Sequence, residues 1–168
     1  MSYQAHQQAG KNVSARCAII TMSDTRTPET DTSGAAIRRL LEDAGHTIAA
    51  FAICRDDPAA LEPLLSQYLA DSAIDCIVSN GGTGISRRDQ TIRVIESRLT
   101  QPLPGFGELF RMLSWQEIGS GAMLSRAIGG IASGKPLFAL PGSTKAVELA
   151  MTRLILPELG HLLAELRK

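Results

Sequence analysis

The segment Ser79-Asn80-Gly81-Gly82-Thr83-Gly84-Ile85-Ser86-Arg87-Arg88-Asp89, entered through the apolar run Cys76-Ile77-Val78, narrows the folds open to this chain. A strand that ends in glycines exposes its backbone N–H groups. With no Cβ in the way, an oxyanion can come close to them. Thr83 adds a hydroxyl donor, and Asp89 adds a carboxylate able to hold a metal ion or position a phosphate. The pattern reads as a phosphate or nucleotide site at the carboxyl end of a strand in an α/β sheet. A glycine-rich turn without a ligand is the plainer alternative, and such turns rarely carry an appended acid and two arginines.

The rest of the chain supplies the sheet. Arg16-Cys17-Ala18-Ile19-Ile20-Thr21-Met22 is a continuous apolar run, suited to a strand covered on both faces, and Ser23 to Pro28 break it with turn chemistry. A helix is expected from Asp31-Thr32-Ser33, with Ile37, Leu40 and Leu41 at helical spacing and Gly45 at its end. Further strands are expected over 48–54, 75–79, 127–132 and 137–140. Helices are expected from Pro58, with Leu61, Leu64, Leu65, Tyr68 and Leu69 as its stripe, and over 91–99 and 106–118. A helix after Pro141-Gly142-Ser143-Thr144-Lys145 is expected to be interrupted at Pro157 and followed by an amphipathic helix over 159–166. Strands alternating with helices imply a three-layer αβα sandwich around a mainly parallel, Rossmann-like sheet. Residues 1–13 read as a flexible tail and 14–168 as one domain.

Composition excludes several functions. Acidic and basic residues balance at 17 each, which is not the basic footprint of a nucleic-acid binder. Aromatic residues make up only 4%, too few for platforms that stack single strands. Neither a membrane-spanning run nor a signal-like N-terminus is present, so no membrane partner and a cytoplasmic location are expected. Cys17, Cys54 and Cys76 sit singly in apolar runs and read as buried reduced thiols.

Ligands of such sheets bind beyond the carboxyl ends of the strands. Four ends here are polar and small: Ser23-Asp24, Asp56-Asp57, 81–89 and Pro141-Gly142-Ser143. Their convergence on one edge would make a single site. Ser143 is read equally as an anion ligand at a helix N-terminus or as a plain cap. Asp56-Asp57-Pro58 reads first as a helix start and second as part of an acidic site. Asp56 and Asp89 near a phosphate site point to Mg²⁺, a hard ion that prefers oxygen ligands.

Gly81-Gly82-Thr83-Gly84 with Asp89 five residues on resembles the signature of the MogA/MoaB family of molybdenum cofactor biosynthesis proteins. So do Ser23-Asp24, Asp31-Thr32-Ser33-Gly34, Phe106-Gly107-Glu108, Leu124-Ser125-Arg126 and Leu140-Pro141-Gly142. The resemblance implies a MogA-like molybdopterin-binding domain. It also implies an activity, in which the terminal phosphate of molybdopterin attacks Mg-ATP, releases pyrophosphate and becomes adenylylated. On that resemblance Asp56 (or Asp57, one place on) and Asp89 are the catalytic and metal-holding acids. Ser23, Asp24, Gly81, Gly82, Thr83, Gly84, Ser125, Pro141, Gly142 and Ser143 bind the substrate. An adenylyltransferase and a non-catalytic pterin-binding or accessory oligomer of the same pathway both fit. A trimer or hexamer, with contacts to other proteins of the pathway, is the implied assembly. The cluster of Phe106, Phe110, Met112, Leu113 and Trp115 reads equally as a subunit contact or as core.

Overall fold

The computed structural model describes residues 13–86 and 90–168. Its strands are β1 (Arg16–Met22), β2 (Thr47–Cys54), β3 (Cys76–Asn80), β4 (Gln101–Pro102), β5 (Ile128–Ala132) and β6 (Lys135–Leu140). Its helices are α1 (Thr32–Asp43), α2 (Pro58–Ala70), α3 (Thr91–Arg98), α4 (Pro104–Ile118), α5 (Thr144–Ala150) and α6 (Leu156–Leu166). The six strands form one sheet in the order β2-β1-β3-β6-β5-β4. β2, β1, β3 and β6 are parallel. β5 alone is reversed, pairing antiparallel with β6 on one side and with the edge strand β4 on the other. The expected α/β sandwich with a mainly parallel sheet is therefore present.

The side chains of β1 and β3 alternate between two cores, as a strand buried on both faces requires. Cys17, Ile19, Cys76 and Val78 pack under α1, α4, α5 and α6. Ala18, Ile20 and Ile77 pack under α2 and α3. Phe106, Phe110 and Leu113 of α4 are buried, whereas Met112 and Trp115 on its other side are exposed. The aromatic-rich cluster expected from the sequence thus divides between core and surface.

Two local devices set the connections. Ser133 and Gly134 both take positive φ, 50° and 73°, and this mirror-image two-residue turn reverses the chain from β5 into β6. The chain between α5 and α6 stays helical, with Met151–Ile155 in a wider π turn. Pro157 was expected to break the helix. It sits instead in the first turn of α6, where its missing N–H costs little, and the π turn resets the hydrogen-bond register just before it. Among the described residues, no helix is long and apolar enough to cross a membrane.

The start of β1 is held by two titratable groups. Arg16 donates to Asp75 from its backbone N–H (2.8 Å) and its guanidinium (2.9 Å), which holds that carboxyl down at about 2. His46 is buried, and its Nδ1 accepts from the Ala15 N–H at 3.1 Å, so the ring proton is on Nε2. Burial pushes the His46 pKa below its ordinary value. The unfolded chain therefore takes up this proton first as pH falls. The share of stability from His46 is complete above about pH 6.5 and is lost as pH drops from there toward the folded value. We expect the melting temperature of the wild type to fall more steeply than that of His46→Gln between pH 7.5 and 5. Parallel curves would refute the assignment.

Candidate functional site

Parallel pairing brings the carboxyl ends of four strands to one edge. Met22 lies opposite Cys54, Thr21 opposite Asn80, and Asn80 opposite Leu140. The loops that follow, 23–28, 55–57, 81–86 and 141–143, share that edge. β5 runs the other way, so its beginning reaches the same edge: Ile128 pairs with Ala139. Ser125 and Arg126, just before β5, arrive there by this reversal. The four polar strand ends singled out from sequence do converge, and a fifth segment joins them.

The loops are tied to one another. Ser23 donates its N–H to Cys54 O at 2.8 Å, and Asp24 Oδ1 accepts from the Asp56 N–H at 3.2 Å. Asp56 Oδ1 accepts from the Thr91 hydroxyl at 3.0 Å, joining the end of β2 to the start of α3. Asp57 caps α2 by accepting from the Ala59 N–H at 3.1 Å, so of the two adjacent acids it is Asp56 that turns toward the glycine loop. Gly81 donates its N–H to Leu140 O at 3.0 Å. A Cβ on Gly142 would lie 3.2 Å from Gly81 Cα, so these two loops touch backbone to backbone. Gly82 takes φ +64°, and a Cβ there would lie 2.7 Å from Asp56 Oδ1 and overlap Thr91 Oγ1. Among the described residues, the N–H groups of Gly82, Thr83 and Gly84 have no acceptor, which is the condition of an anion cradle.

Below the loops lies a buried polar network that the sequence reading did not assign to the site. Asp31, which is 2% exposed, caps α1 through Gly34 N–H (2.9 Å) and accepts from the Thr21 hydroxyl (2.6 Å) and Arg26 (3.1 Å). Ser33 donates to Asn80 Oδ1 at 2.7 Å, and Asn80 Nδ2 donates to Thr21 Oγ1 at 2.9 Å. Arg26 also bonds Ser33 Oγ and donates to Gly142 O at 2.8 Å. The network joins β1, β3, α1 and the loop after β6. Its traces in the sequence are the polar residues Thr21 and Asn80 inside apolar strands and the Asp31-Thr32-Ser33-Gly34 segment. Ser79 faces the opposite core, where its hydroxyl is buried without a hydrogen-bond partner.

The remaining expected residues fall as follows. Ser23 Oγ accepts from the N–H groups of Thr25 (3.2 Å) and Arg26 (3.1 Å), shaping its own loop. Ser143 caps α5 by accepting from the Ala146 N–H at 3.3 Å, the plainer of its two readings. Pro141 leads into that turn beside Gly142. Ser125 Oγ accepts from the Ala127 N–H at 3.4 Å. Its neighbour Arg126, not picked out as a site residue, donates to Thr83 O at 3.1 Å and to Gly84 O. Asp89 lies outside the described residues. A cleft of about 530 Å³ opens beside Asp24, lined by Ser23, Arg26, Phe51 and Arg55 among others.

Comparison with known proteins bears on this edge. Residues 18–161 match the family described as "Probable molybdopterin binding domain". The chain is 50% identical over 170 residues to molybdenum cofactor biosynthesis protein B of Halalkalibacterium halodurans, covering 100% of this chain and 99% of that one. It is 48% identical over 169 residues to the protein of the same name from Bacillus subtilis, with the same coverage. Among solved structures, a molybdenum cofactor biosynthesis protein B superposes with a TM-score of 0.90 at 49% identity, over 92% of this chain and 97% of that one. The tungsten cofactor synthesizing protein MoaB from Pyrococcus furiosus superposes with a TM-score of 0.81 at 34% identity, over 92% and 98%.

Proposed function

The chain belongs to the molybdopterin-binding domain family of molybdenum cofactor biosynthesis proteins, and we propose from that premise that its glycine-loop edge binds molybdopterin and adenylylates its terminal phosphate with ATP. A role in molybdenum cofactor biosynthesis follows from the family itself. The observation that carries the finer reading is the row of N–H groups at Gly82, Thr83 and Gly84 beside the Asp56 carboxylate.

In this reading a phosphate oxygen of molybdopterin attacks the α-phosphorus of ATP. The new P–O bond forms as the bond to the β-phosphate breaks, and pyrophosphate leaves. Such a transfer asks the protein for alignment and charge stabilisation rather than covalent chemistry. The loop N–H groups hold phosphate oxygens. Arg126 fixes the loop through Thr83 O and Gly84 O. Asp24 fixes the backbone of Asp56, and Gly142 packs on Gly81 to keep the far side of the cradle in place. Asp56, and Asp89 by the family resemblance, supply carboxylate oxygens of the kind that suits Mg²⁺, and Asp24 lies beside Asp56 through its bond to the Asp56 N–H. Bound there, the ion would neutralise charge on the phosphates.

Pyrophosphate release from ATP in the presence of molybdopterin tests the reading. Asp56→Ala and Asp89→Ala are each expected to lower it about 100-fold or more, while molybdopterin binding persists. Release from Asp56→Ala at the wild-type rate would remove this acid from the mechanism. A wild-type protein that binds molybdopterin and releases no pyrophosphate would be a binding module instead.

The outer side of α4 favours a homo-oligomer. Leu109, Met112, Trp115 and Ile118 are exposed there, with Met123 and Leu124 just beyond, so this helix is apolar on both sides. Light scattering is expected to give the mass of three or six copies. A monomer at micromolar concentration would refute the assembly.

A further inference from the structure

The two edges of the sheet are built differently. β4 is two residues long, and its Pro102 has no N–H to offer a further strand. β2, at the other edge, runs for eight residues, Thr47-Ile48-Ala49-Ala50-Phe51-Ala52-Ile53-Cys54, without a charge, a proline or a glycine. Ala49 is an extra residue in its register with β1, because Cys17 pairs with Ile48 and Ala18 with Ala50. From Ala50 to Cys54 the register is regular. Cys54 O turns inward to accept from the Ser23 N–H, so alternation sends the N–H and C=O groups of Phe51 and Ile53 outward. Among the described residues no strand lies there to meet them. Phe51 packs at the margin of the core under α1, Ile53 lines the cleft beside it, and both are half-buried. Arg38 of α1 lies over the Phe51 ring, 5.0 Å from its centroid. Glu42, one turn further along, shares that face of α1 near the start of β2, and Arg55 stands just past the strand's end. Apart from the contact with Phe51, Arg38, Glu42 and Arg55 have no hydrogen bond or ion pair among the described residues.

We infer that β2 is an interface with a second copy of this chain, the two strands pairing antiparallel about a two-fold axis through Ala52. The regular run from Ala50 to Cys54 has Ala52 at its centre. An axis there sets Phe51 of each copy opposite Ile53 of the other, and the outward groups of these residues form the hydrogen-bonded pairs. Ala52 meets its own copy across the narrower spacing, where a methyl group fits. An axis through Phe51 would instead bring two Arg38 guanidinium groups together. Charge complements the pairing. Reversal of direction carries Arg55 of one copy to the start of β2 in the other, where Glu42 stands, and symmetry makes this contact twice. The product is one continuous sheet of twelve strands, six from each copy. α4, with its exposed apolar side, packs on β5 at the far end of the sheet, so both surfaces can be used at once. Edge pairing then joins two rings of three into six copies.

Cross-linking and light scattering on the full chain test the pairing. Ala52→Cys, treated with diamide, is expected to give a covalent dimer on a non-reducing gel, because the two thiols would face each other at the spacing a disulfide needs. The wild type, with its cysteines buried, is expected to stay unlinked under the same treatment. Ile53→Lys places a charge on the edge and is expected to halve the mass in solution, with circular dichroism checking that the fold persists. Arg55→Glu is expected to weaken association about tenfold, and Glu42→Arg/Arg55→Glu to restore it, which a merely structural role for either residue would not produce. A wild-type dimer that Ile53→Lys turns into a monomer would support the edge and refute the assembly through α4. Ala52→Cys that stays unlinked, or a mass that Ile53→Lys leaves unchanged, would overturn the inference. The edge would then be left to the chain's own first residues or to an extended peptide of another protein.

Discussion

Asp31→Ala is expected to lower the stability of the protein by about 4 kcal/mol, most of it from breaking a buried ion pair and the rest from a lost helix cap. The carboxylate is 2% exposed and serves Thr21, Ser33, Gly34 and Arg26 at once. Its removal strands a buried hydroxyl and leaves the Arg26 guanidinium without its counter-charge. For a chain of this size the loss corresponds to roughly 10 °C in melting temperature. Asp31→Asn keeps the cap and some of the hydrogen bonds and should cost less. Thermal or urea unfolding measures both, and a loss under about 1 kcal/mol for the alanine would show that the network is not cooperative. The effect should extend beyond stability, because Arg26 also holds Gly142 O, and Gly142 packs on Gly81. A protein already weakened at Asp31 should therefore bind its ligand less tightly even at temperatures where it is folded.

Gly82→Ala is expected to weaken ligand binding about 100-fold while most of the fold survives. The residue takes φ +64°, which costs a side chain about 1 kcal/mol. The larger effect is steric. The new methyl group would enter the hydrogen bond between Thr91 and Asp56, lying 2.7 Å from the carboxylate oxygen. Either the loop withdraws, taking the free N–H groups of Thr83 and Gly84 with it, or Asp56 turns out of place. Gly134→Ala is the matched control. Its φ is +73°, but a Cβ there meets nothing within 4 Å, and it lies in the β5–β6 turn away from the site edge. Strain alone should make Gly134→Ala less stable with unchanged binding. Equal binding losses in the two variants, measured by calorimetry, would mean that strain and not contact governs position 82.

Much of this arrangement was legible in the residues. The apolar run at Arg16–Met22 coincides with β1, and Asp31 and Pro58 mark the starts of α1 and α2 as their chemistry demands. The glycine loop follows β3, and the polar strand ends share one edge. What escaped was tertiary in origin. Arg126 stands in the Leu124-Ser125-Arg126 segment that resembles the family, but its task is not readable there, since its partners are backbone carbonyls 42 and 43 residues away. Its place at the site depends on the reversal of β5, and the only trace of that reversal is the Ser133-Gly134 dipeptide. Thr21 and Asn80 look like imperfections in apolar strands until the network that uses them is seen. Pro157 misled because a proline within a helical pattern is read as a break, whereas the π turn before it absorbs the missing bond.

The strand order also governs how a newly synthesised chain can assemble. β6 lies in the middle of the sheet, between β3 and β5, although it is the last strand to be made. The parallel part formed by residues 16–80 and the reversed part formed by 101–132 have no strand contact until residues 135–140 enter between them. A chain emerging from the ribosome thus carries two unjoined sheet fragments with open edges until four-fifths of it has been translated. Pairing that joins Ile77 to Leu137 spans a long stretch of chain, which makes folding slow by contact-order reasoning. The loops of the site, drawn from both fragments and from the residues just after β6, come together only in that final step.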